Sequence, residues 1–572
     1  MKRFLLASFL FCMGTANATV FSVINTNDAG AGSLRQAIAD ANADVTEPHI
    51  INITVTGIIS LNSNLPVINR SVTINGVSVG GTIITGNDAY TIFNFTGTNI
   101  KLLNVTVNDL ELRNAFTTSA VSGDYGSAIH GRFIGSVSIN RCYIHHCSTV
   151  VTGNSGFITV HGGAVSLFSN GVCSTTSFFY MRQTTIAYNL LSLTNAGGYA
   201  EAYGGGVFAQ AFNDTIENST FYGNKVFSST AVNASQATAT GGGMAFYGCS
   251  MSINHSSFVS DTAKAQNTGG GTFQSGAGGI SSIKYAIDIR NSLVDLNIAD
   301  NNPDIGTLSN GLGDIISKGN NVIGNLGGTW SSVQATDTVN TVTGVQPLAN
   351  NGSLRPTCAL ISTSAAIDKV ATGSLLLTDE RNFTRDSKPD AGSYEFNGVV
   401  LPLKLLSFNA VSCNKQVCLQ WNTASENNTS NFVVQKSNDG LVFNNLTTVN
   451  AVGTGDHYYT ANDLAPLSGL NFYRLQMNDK DRRFTYSPVV KLNLKDISKL
   501  AISPNPASGY FTVSNTNDIK KVMLIQNDGR VMKQWSSLSS NKFSIAGIPA
   551  GMYTIKIETG SGISNYRLVI SK

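Results

Sequence analysis

The chain of 572 residues is poor in charge, in proline and in long apolar segments. Charged residues make up 12% of it, and it contains 12 prolines and 3 tryptophans. Its 37 Lys and Arg nearly balance its 34 Asp and Glu, so the formal net charge is only +3. A balance so close to neutral predicts no electrostatic attraction to nucleic acid. Beyond the first residues, no segment is apolar for long enough to cross a bilayer.

A phrase of nine residues occurs five times in the middle of the chain. The copies start at Ile139, Met181, Ile216, Ile253 and Ile289, which gives intervals of 42, 35, 37 and 36 residues. A weaker copy is predicted at 102–110. A period of this size is typical of a solenoid, in which each repeat buries its apolar face against its neighbours.

The pattern within the phrase predicts short strands joined by corners. Positions four and six share one face of a strand, whereas position one is out of phase with them. The chain must therefore turn near positions two and three, where Asn218, His255 and Asn291 occur and where Asn tolerates a left-handed backbone. Glycine clusters such as 204–206 and 241–243 precede each copy, and helical periodicity is absent. We predict a parallel β-helix filled by columns of Ile, Val and Phe.

Two motifs carry a resemblance to known families. Gly-Gly-Ala-Val at 162–165 together with Phe-Tyr-Gly-Asn at 221–224 resembles the repeats of polymorphic outer-membrane proteins, which are right-handed β-helix adhesins. The segment 23–38 is similar to the amino-terminal signature of secreted bacterial β-helix proteins, and its end predicts a helix from Ser33 to Asn42 that caps the solenoid. The resemblance implies a right-handed parallel β-helix over 19–397.

The amino terminus has the features of a signal peptide. Lys2 and Arg3 precede an apolar run from Phe4 to Met13, and Ala16-Asn17-Ala18 fits a cleavage site. We therefore predict that 1–18 is removed during export, which lowers the formal net charge from +3 to +1.

The sequence pattern of the carboxy-terminal 170 residues differs from that of the repeats. Alternating strands with turn signals over 401–494 resemble the fibronectin/immunoglobulin-like β-sandwich modules that act as spacers. Residues 498–572, with motifs at 502–506, 527–529, 548–553 and 566–572, resemble the small β-sandwich sorting domain of type IX secretion. Arg567 stands where that family often has a pair of lysines. The resemblance implies a partner in the type IX secretion machinery and a location outside the cell, either released or fixed to the surface.

Seven cysteines remain after the signal peptide, so at least one thiol is unpaired within a monomer. Cys413 and Cys418 flank a tetrapeptide and could form a disulfide in a hairpin. The run from Cys142 to Cys147 contains His145 and His146, which is a possible zinc ligand set. However, Cys142 and Cys147 occupy repeat positions filled elsewhere by Ser or Thr and by Asn. We therefore expect core residues there, and no metal or other cofactor.

Two classes of function fit an exported solenoid. The first is adhesion, in which loops such as 228–240 present a surface to a polysaccharide or a surface protein. The alternative is a polysaccharide lyase or glycoside hydrolase, since fold alone does not decide function. A lyase would need carboxylates that hold calcium and a basic residue beside them; the weak candidates for such a catalytic group are Asp288, Arg290, Glu217 and Arg182. His130 and His161 precede glycines, but the rest of a polygalacturonase Gly-His-Gly site is missing. We predict adhesion or recognition.

Overall fold

The structure is a computed structural model of the whole chain. It describes residues 18–171, 173, 176–307, 314–326, 332–370, 376–398, 404–413, 416–424, 426, 429–452, 457–479, 484–494, 500–514, 519–536, 540–559 and 562–572. The predicted signal peptide lies outside these residues, apart from Ala18.

Three parallel sheets form a β-helix, as the repeats predict. The first sheet contains, in spatial order, β1 (Thr19–Val23), β2 (His49–Ile53), β4 (Val72–Asn75), β7 (Leu103–Asn108), β12 (Ile134–Asn140), β17 (Phe178–Arg182), β22 (Asn213–Glu217), β27 (Ser250–Asn254), β32 (Ala286–Arg290) and β35 (Asp314–Ser317). The second sheet contains β3 (Gly57–Ser60), β5 (Thr82–Thr85), β8 (Glu111–Arg113), β13 (Tyr143–His145), β18 (Thr185–Ala187), β23 (Thr220–Tyr222), β28 (Ser257–Val259), β33 (Leu293–Asp295), β36 (Val322–Ile323) and β37 (Thr338–Val339). The third contains β6 (Phe93–Thr96), β11 (Ile129–Arg132), β16 (Val165–Phe168), β21 (Val207–Gln210), β26 (Met244–Tyr247), β31 (Ile280–Ser282) and β34 (Ile305–Thr307).

Two further sheets form a lobe on one side of the solenoid. The repeats did not predict this lobe. The fourth sheet contains β9 (Phe116–Ser119), β14 (Ser148–Gly153), β19 (Leu190–Asn195), β24 (Lys225–Thr230) and β29 (Thr262–Asn267). The fifth contains β10 (Gly123–Asp124), β15 (Phe157–His161), β20 (Tyr199–Tyr203), β25 (Gln236–Thr240) and β30 (Thr272–Ser275). The five coils that begin with β7, β12, β17, β22 and β27 therefore run through the first, second, fourth, fifth and third sheets before they return to the first.

The lobe has its own hydrophobic core, in which Leu191 and Leu193 pack with Ala200 and Ala202. The prediction that 228–240 is a loop is wrong, because most of it lies in β24 and β25. Ala237 and Ala239 of β25 are buried in this core, whereas Ala231 and Ala234, between the two strands, are exposed. The alternation of Ala with Thr in 236–240 is the period-two signal of a strand, but it is weak because alanine is small.

The corners of the solenoid adopt the predicted left-handed backbone. Position three of the repeat has φ between 43° and 53° at Arg141, Gln183, Asn218, His255 and Asn291. Position eight does the same at the corner that leads to the lobe, with φ of 52° at His146 and 57° at Tyr188. The tight turn before the third sheet uses glycine, since Gly204 has a φ of 79°.

The interior contains the predicted columns of identical residues. The five starting residues of the phrase are register partners in the first sheet, and the rings of Phe221 and Phe258 stack with centroids 4.3 Å apart. The weaker copy predicted at 102–110 is wrong by five residues, because Val107 and not Leu102 lies opposite Ile139. Leu102 and Val107 are both apolar, so hydrophobicity alone could not fix that register.

Two ladders of polar side chains run through the interior beside the apolar columns. At position four, the backbone N–H of Ser219 donates to the hydroxyl of Ser256 at 3.3 Å, and the same bond recurs from coil to coil. At position nine, the side chain of Asn224 accepts from the Asn189 backbone at 3.2 Å and donates to Asp261 at 2.9 Å. These ladders satisfy backbone donors at the corners, where sheet hydrogen bonds end.

The amino-terminal helix α1 (Leu34–Ala43) confirms the predicted cap. Ser33 is its N-cap, and the Ser33 hydroxyl accepts from the Gln36 backbone at 3.2 Å. Leu34 and Ile38 lie on its buried face and join the core of the solenoid. The helix therefore covers apolar side chains that would otherwise face water at the open end.

Residues 376–398, which we call the clamp, cover part of the outer face of the second sheet. Glu380 bonds the hydroxyls of Thr185 and Thr220, and Arg385 donates to the Asn218 side chain at 2.9 Å. Arg385 also forms a buried ion pair with Glu395 at 3.1 Å. Burial raises the pKa of Glu380 to about 8. A hairpin of β38 (Val345–Ala349) and β39 (Thr357–Leu360) precedes the clamp.

Two antiparallel domains follow the solenoid. The first packs β40 (Lys404–Cys413), β41 (Gln416–Ala424) and β44 (His457–Asp463) against β42 (Thr429–Ser437), β43 (Asn444–Asn450), β45 (Gly469–Asp479), β46 (Phe484–Tyr486) and β47 (Val490–Leu494), with Trp421 buried between the sheets. The second packs β48 (Ile502–Ser503), β49 (Tyr510–Val513) and β52 (Lys542–Ser544) against β50 (Ile519–Gln526), β51 (Val531–Trp535), β53 (Gly551–Thr559) and β54 (Gly562–Ile570). The predicted all-β fold class is confirmed. No helix among the described residues is long and apolar enough to span a membrane.

Candidate functional site

The four residues proposed for the lyase alternative share the outer face of the first sheet. Arg182 is the register partner of Glu217, and Asn254 separates Glu217 from Arg290. The Glu217 carboxylate accepts a hydrogen bond from the Tyr180 hydroxyl at 2.8 Å. Asp288 forms an ion pair with Lys318 at 3.3 Å, and both side chains are nearly half exposed. The structure therefore places the four residues on one surface but gives the two carboxylates separate partners.

The same outer face carries a row of asparagines that the sequence analysis missed. Asn75 donates to Asn52 at 2.9 Å, Asn108 to Asn75 at 2.8 Å, and Asn140 to Asn108 at 3.0 Å. Asn75, Asn108 and Asn140 each end a strand of the first sheet, and Asn52 is the second-last residue of β2. Three of the four asparagines lie before the five clear repeats. The row links the amino-terminal coils and presents uncharged amides.

The cysteines and histidines of 142–147 lie on opposite sides of the chain. Cys142 and Cys147 face the interior in the Ser/Thr and Asn ladder slots, as the repeat alignment predicts, and burial raises the pKa of each thiol to about 12. His146 is instead exposed to solvent. Within the described part of the chain, no three His, Cys, Asp or Glu side chains are grouped so that they could hold a metal ion.

An open cleft follows the corner between the second and fourth sheets, and we call it the tyrosine cleft. It has a volume of about 580 Å³ and is lined by His146, Tyr188, Tyr222 and Lys225 together with Asp88 and Ser148. The ring centroids of His146 and Tyr188 are 5.1 Å apart, and those of Tyr188 and Tyr222 are 5.4 Å apart. These distances are close to the strand spacing of about 4.8 Å, so each coil contributes one ring to the row.

A group of polar residues with both signs of charge lies beside the amino-terminal end of the tyrosine cleft. The Nδ1 atoms of His145 and His146 are 2.7 Å apart, and His145 Nε2 is 3.2 Å from Glu111. Arg113 also pairs with Glu111 at 3.2 Å. Burial and the adjacent His145 lower the pKa of His146. This end adjoins a second depression of about 460 Å³, which shares His146.

The outer surface of the fifth sheet lies on the other side of the lobe, and we call it the acidic face. Phe157 and Tyr199 are 55% and 41% exposed, with ring centroids 5.8 Å apart. The Glu201 carboxylate lies two residues from Tyr199 on the same strand and accepts from the hydroxyls of Tyr203 at 3.0 Å and Thr159 at 3.3 Å. The five strands of this sheet contain no Lys or Arg.

The acidic face meets the third sheet at a concave corner packed with aromatic rings. His161 Nδ1 is 2.9 Å from the Asp124 carboxylate, and the His161 ring is 4.3 Å from that of Phe208. A pocket of about 340 Å³ opens beside Asp124 and contains His130, whose pKa is lowered by burial. The two histidines set aside in the sequence analysis thus lie along one corner, and nothing in their spacing along the chain pointed to Asp124 as a partner.

The structure joins Cys413 to Cys418, the pair considered in the sequence analysis, with their Cα atoms 5.9 Å apart. It also joins Cys173 to Cys249, whose Cα atoms are 5.2 Å apart, across loops that connect the third sheet to the first. No spacing along the chain pointed to this second pair, because 76 residues separate its members. Cys142, Cys147 and Cys358 are buried free thiols.

Comparison with known proteins identifies only the carboxy-terminal part. Residues 501–571 match the secretion system C-terminal sorting domain. The dimeric latent form of PorU from Porphyromonas gingivalis is similar at 12% identity and a TM-score of 0.14, over 33% of this chain and 23% of that one. Fibronectin(III)-like modules of Clostridium thermocellum CbhA are similar at 15% identity and a TM-score of 0.13, over 30% of this chain and 94% of that one. Scores this low carry no argument about function, and no curated protein sequence matches the chain.

The sorting-domain match agrees with the motifs noted in the sequence. Ile502-Ser503 opens the domain as β48, and the motif at 548–553 leads into β53. Such a domain directs a protein through type IX secretion. The chain therefore carries a carboxy-terminal type IX secretion sorting domain and is a secreted or cell-surface protein.

Proposed function

We propose that the exported protein recognises a polysaccharide chain along the tyrosine cleft, and that this recognition serves adhesion. The observation that carries the proposal is the row of His146, Tyr188 and Tyr222, one ring per coil, in an open depression of about 580 Å³. Exposed aromatic rings offer flat apolar surfaces at a low cost in side-chain entropy.

The shape of the cleft suits an extended ligand with repeated units. Because the rings follow the solenoid axis at nearly the strand spacing, a chain laid along the axis meets one ring at each step. The planes of His146 and Tyr188 differ by 32°, and those of Tyr188 and Tyr222 by 78°. Lys225, Asp88 and Ser148 border the rings and supply donors and acceptors for hydroxyl groups. Stacking on the rings with polar groups at the rim is the arrangement expected of a site for sugars.

The enzymatic alternative has no comparable support. Of its proposed residues, Asp288 is paired with Lys318 and Glu217 accepts from Tyr180, on a surface outside the tyrosine cleft. Adhesion requires no catalytic group, so the cleft alone suffices for the proposed role.

The proposal is tested with the mature chain and immobilised polysaccharides: xylan, mixed-linkage β-glucan, alginate and polygalacturonate. We expect retention on at least one of them without release of reducing or unsaturated ends. Tyr188→Ala should weaken binding by roughly tenfold or more, because it removes the central ring of the row, which is 41% exposed.

Tyr458→Ala is the matched control, since Tyr458 is also an exposed tyrosine but lies in the first antiparallel domain. Equal binding by Tyr188→Ala and the unaltered chain would exclude the tyrosine cleft as the site. Release of sugar products would instead favour the enzymatic alternative.

A further inference from the structure

We infer that the acidic face is a second binding site, separate from the tyrosine cleft, that takes the protonated amine of an amino-sugar polymer. It is built from Phe157, Tyr199 and Glu201, on neighbouring strands β15 and β20. The inference goes beyond the proposed function because it concerns the opposite side of the lobe and a different ligand chemistry.

The first argument is the combination of rings and a carboxylate. Phe157 and Tyr199 are register partners with exposed rings tilted by 38°, so their faces are open to a ligand. Glu201 follows Tyr199 by two residues and therefore projects from the same face of the strand. An ammonium group is attracted both by aromatic faces and by a carboxylate, whereas a neutral sugar gains only the stacking.

The second argument is that Glu201 is held in place without a counter-ion. Its hydrogen-bond partners are the hydroxyls of Thr159 and Tyr203, which orient the carboxylate but carry no charge. Among the described residues no Lys or Arg side chain forms an ion pair with Glu201. The strands of the adjoining third sheet contain one such residue, Arg132, whose guanidinium carbon lies 5.3 Å from the centroid of Phe133. The positive partner of Glu201 is therefore left for a ligand to supply.

The third argument favours a sugar over a peptide as the carrier of the amine. The surface around Glu201 continues along the fifth sheet as hydroxyl and amide side chains that are at least partly exposed: Gln236, Thr272 and Gln274. Such groups bond hydroxyls in several directions and offer no apolar pocket for the side chains of a peptide.

The test compares a glucosamine hexamer with its fully N-acetylated counterpart on the mature chain, by calorimetry at pH 6 and low salt. The two oligomers differ in charge but share their ring structure and linkage. We expect the glucosamine oligomer to bind and the acetylated one to bind at least roughly fivefold more weakly, the ratio expected for loss of one exposed ion pair.

Glu201→Gln should lower the affinity for the glucosamine oligomer by a similar roughly fivefold factor and abolish the preference for it. The matched control is Asp288→Asn, which removes one surface carboxylate from the outer face of the first sheet. Tyr199→Ala should weaken both oligomers.

Equal binding of the two oligomers, or an effect of Asp288→Asn as large as that of Glu201→Gln, would overturn the inference. Binding of a lysine-rich peptide in place of the glucosamine oligomer would overturn the sugar assignment. Tyr188→Ala and Tyr199→Ala together separate the two proposals, because loss of glucosamine binding in Tyr188→Ala but not in Tyr199→Ala would place the oligomer in the tyrosine cleft and overturn the inference.

Discussion

The interior of the solenoid repeats itself from coil to coil, whereas the two outer sides of the lobe do not. Inside, Asn189 and Asn224 occupy equivalent positions and make equivalent bonds. Outside, register partners differ: Thr159 lies beside Glu201, and Leu190 lies beside Lys225. An interior side chain must match the copy above and below it, while an outer side chain has one side open to water or a ligand. Stability is thus concentrated where the coils agree, and recognition where they differ.

The glycine turn that joins the lobe to the third sheet connects these two regions, and a change there should have the largest effect. A Cβ atom added at Gly205 would lie 2.4 Å from the carbonyl carbon of Lys225 and 2.5 Å from the Gly242 oxygen. Both are backbone atoms that cannot rotate away. Gly205→Ala should therefore lower the free energy of unfolding by about 3 kcal/mol, measured by denaturant unfolding of the mature chain.

Gly156→Ala is the control for that experiment, because Gly156 lies at the tip of the lobe and an added Cβ would meet nothing within 4 Å. If both variants lose equal stability, close packing at the turn is not the cause.

An asparagine of the interior ladder should matter more than an asparagine of the outer row. Asn224 bonds Asn189, Asp261 and the Ile186 carbonyl from a fully buried position. Asn224→Ala leaves those groups without partners and should cost about 2 kcal/mol of unfolding free energy. Asn140→Ala, in the outer row, should cost about 0.5 kcal/mol because water can replace the lost bond. Thermal unfolding, monitored by circular dichroism, distinguishes the two variants. Equal losses of stability would contradict the contrast between interior and exterior.

The parts of the fold that the sequence predicted correctly are those in which a residue faces its own copy. Ile216 and Ile253, or Phe221 and Phe258, stand out because an identical neighbour is the best partner in a stack, so the period survives in the sequence. The corner at Asn218 was predicted for a similar reason, since few residue types adopt its left-handed backbone. The helix that begins after Ser33 was predicted because its sequence contains both an N-cap residue and an apolar face.

The candidate sites could not be predicted in the same way. The pairing of Asp124 with His161 joins residues 37 positions apart, and it required knowing that each coil makes an excursion into the lobe. The lobe itself was missed because strands such as 236–240 carry Ala where other strands carry Ile or Val. The row of His146 and Tyr188 lies at position eight, where the backbone is left-handed and the residue type varies, so no pattern marked it.

One interior position carries a polar residue within the apolar columns. Replacing that residue should raise the free energy of unfolding, by less than Gly205→Ala lowers it. Asp214 occupies a buried slot of the first sheet whose register partners are Phe179 and Met251. Among the described residues, neither of its carboxylate oxygens has a hydrogen-bond partner. Burial raises the pKa of this carboxyl well above its usual value of 3.8. Asp214→Met should restore the apolar column and raise the free energy of unfolding by about 1 to 2 kcal/mol at neutral pH.

The pH dependence of that gain follows from the direction of the shift. The unfolded chain releases the Asp214 proton near pH 3.8, whereas the folded chain holds it to higher pH. Between those two values the folded state binds more protons, so the stability of the unaltered protein falls as the pH rises. The advantage of Asp214→Met should therefore be smallest at or below pH 3.8, increase with pH, and level off above the raised pKa. Unfolding midpoints of both proteins from pH 3.5 to 8 would show this divergence. A constant difference in stability across the range would mean that protonation of Asp214 does not stabilise the folded state. The column would then tolerate a charged carboxylate where its neighbours require an apolar side chain.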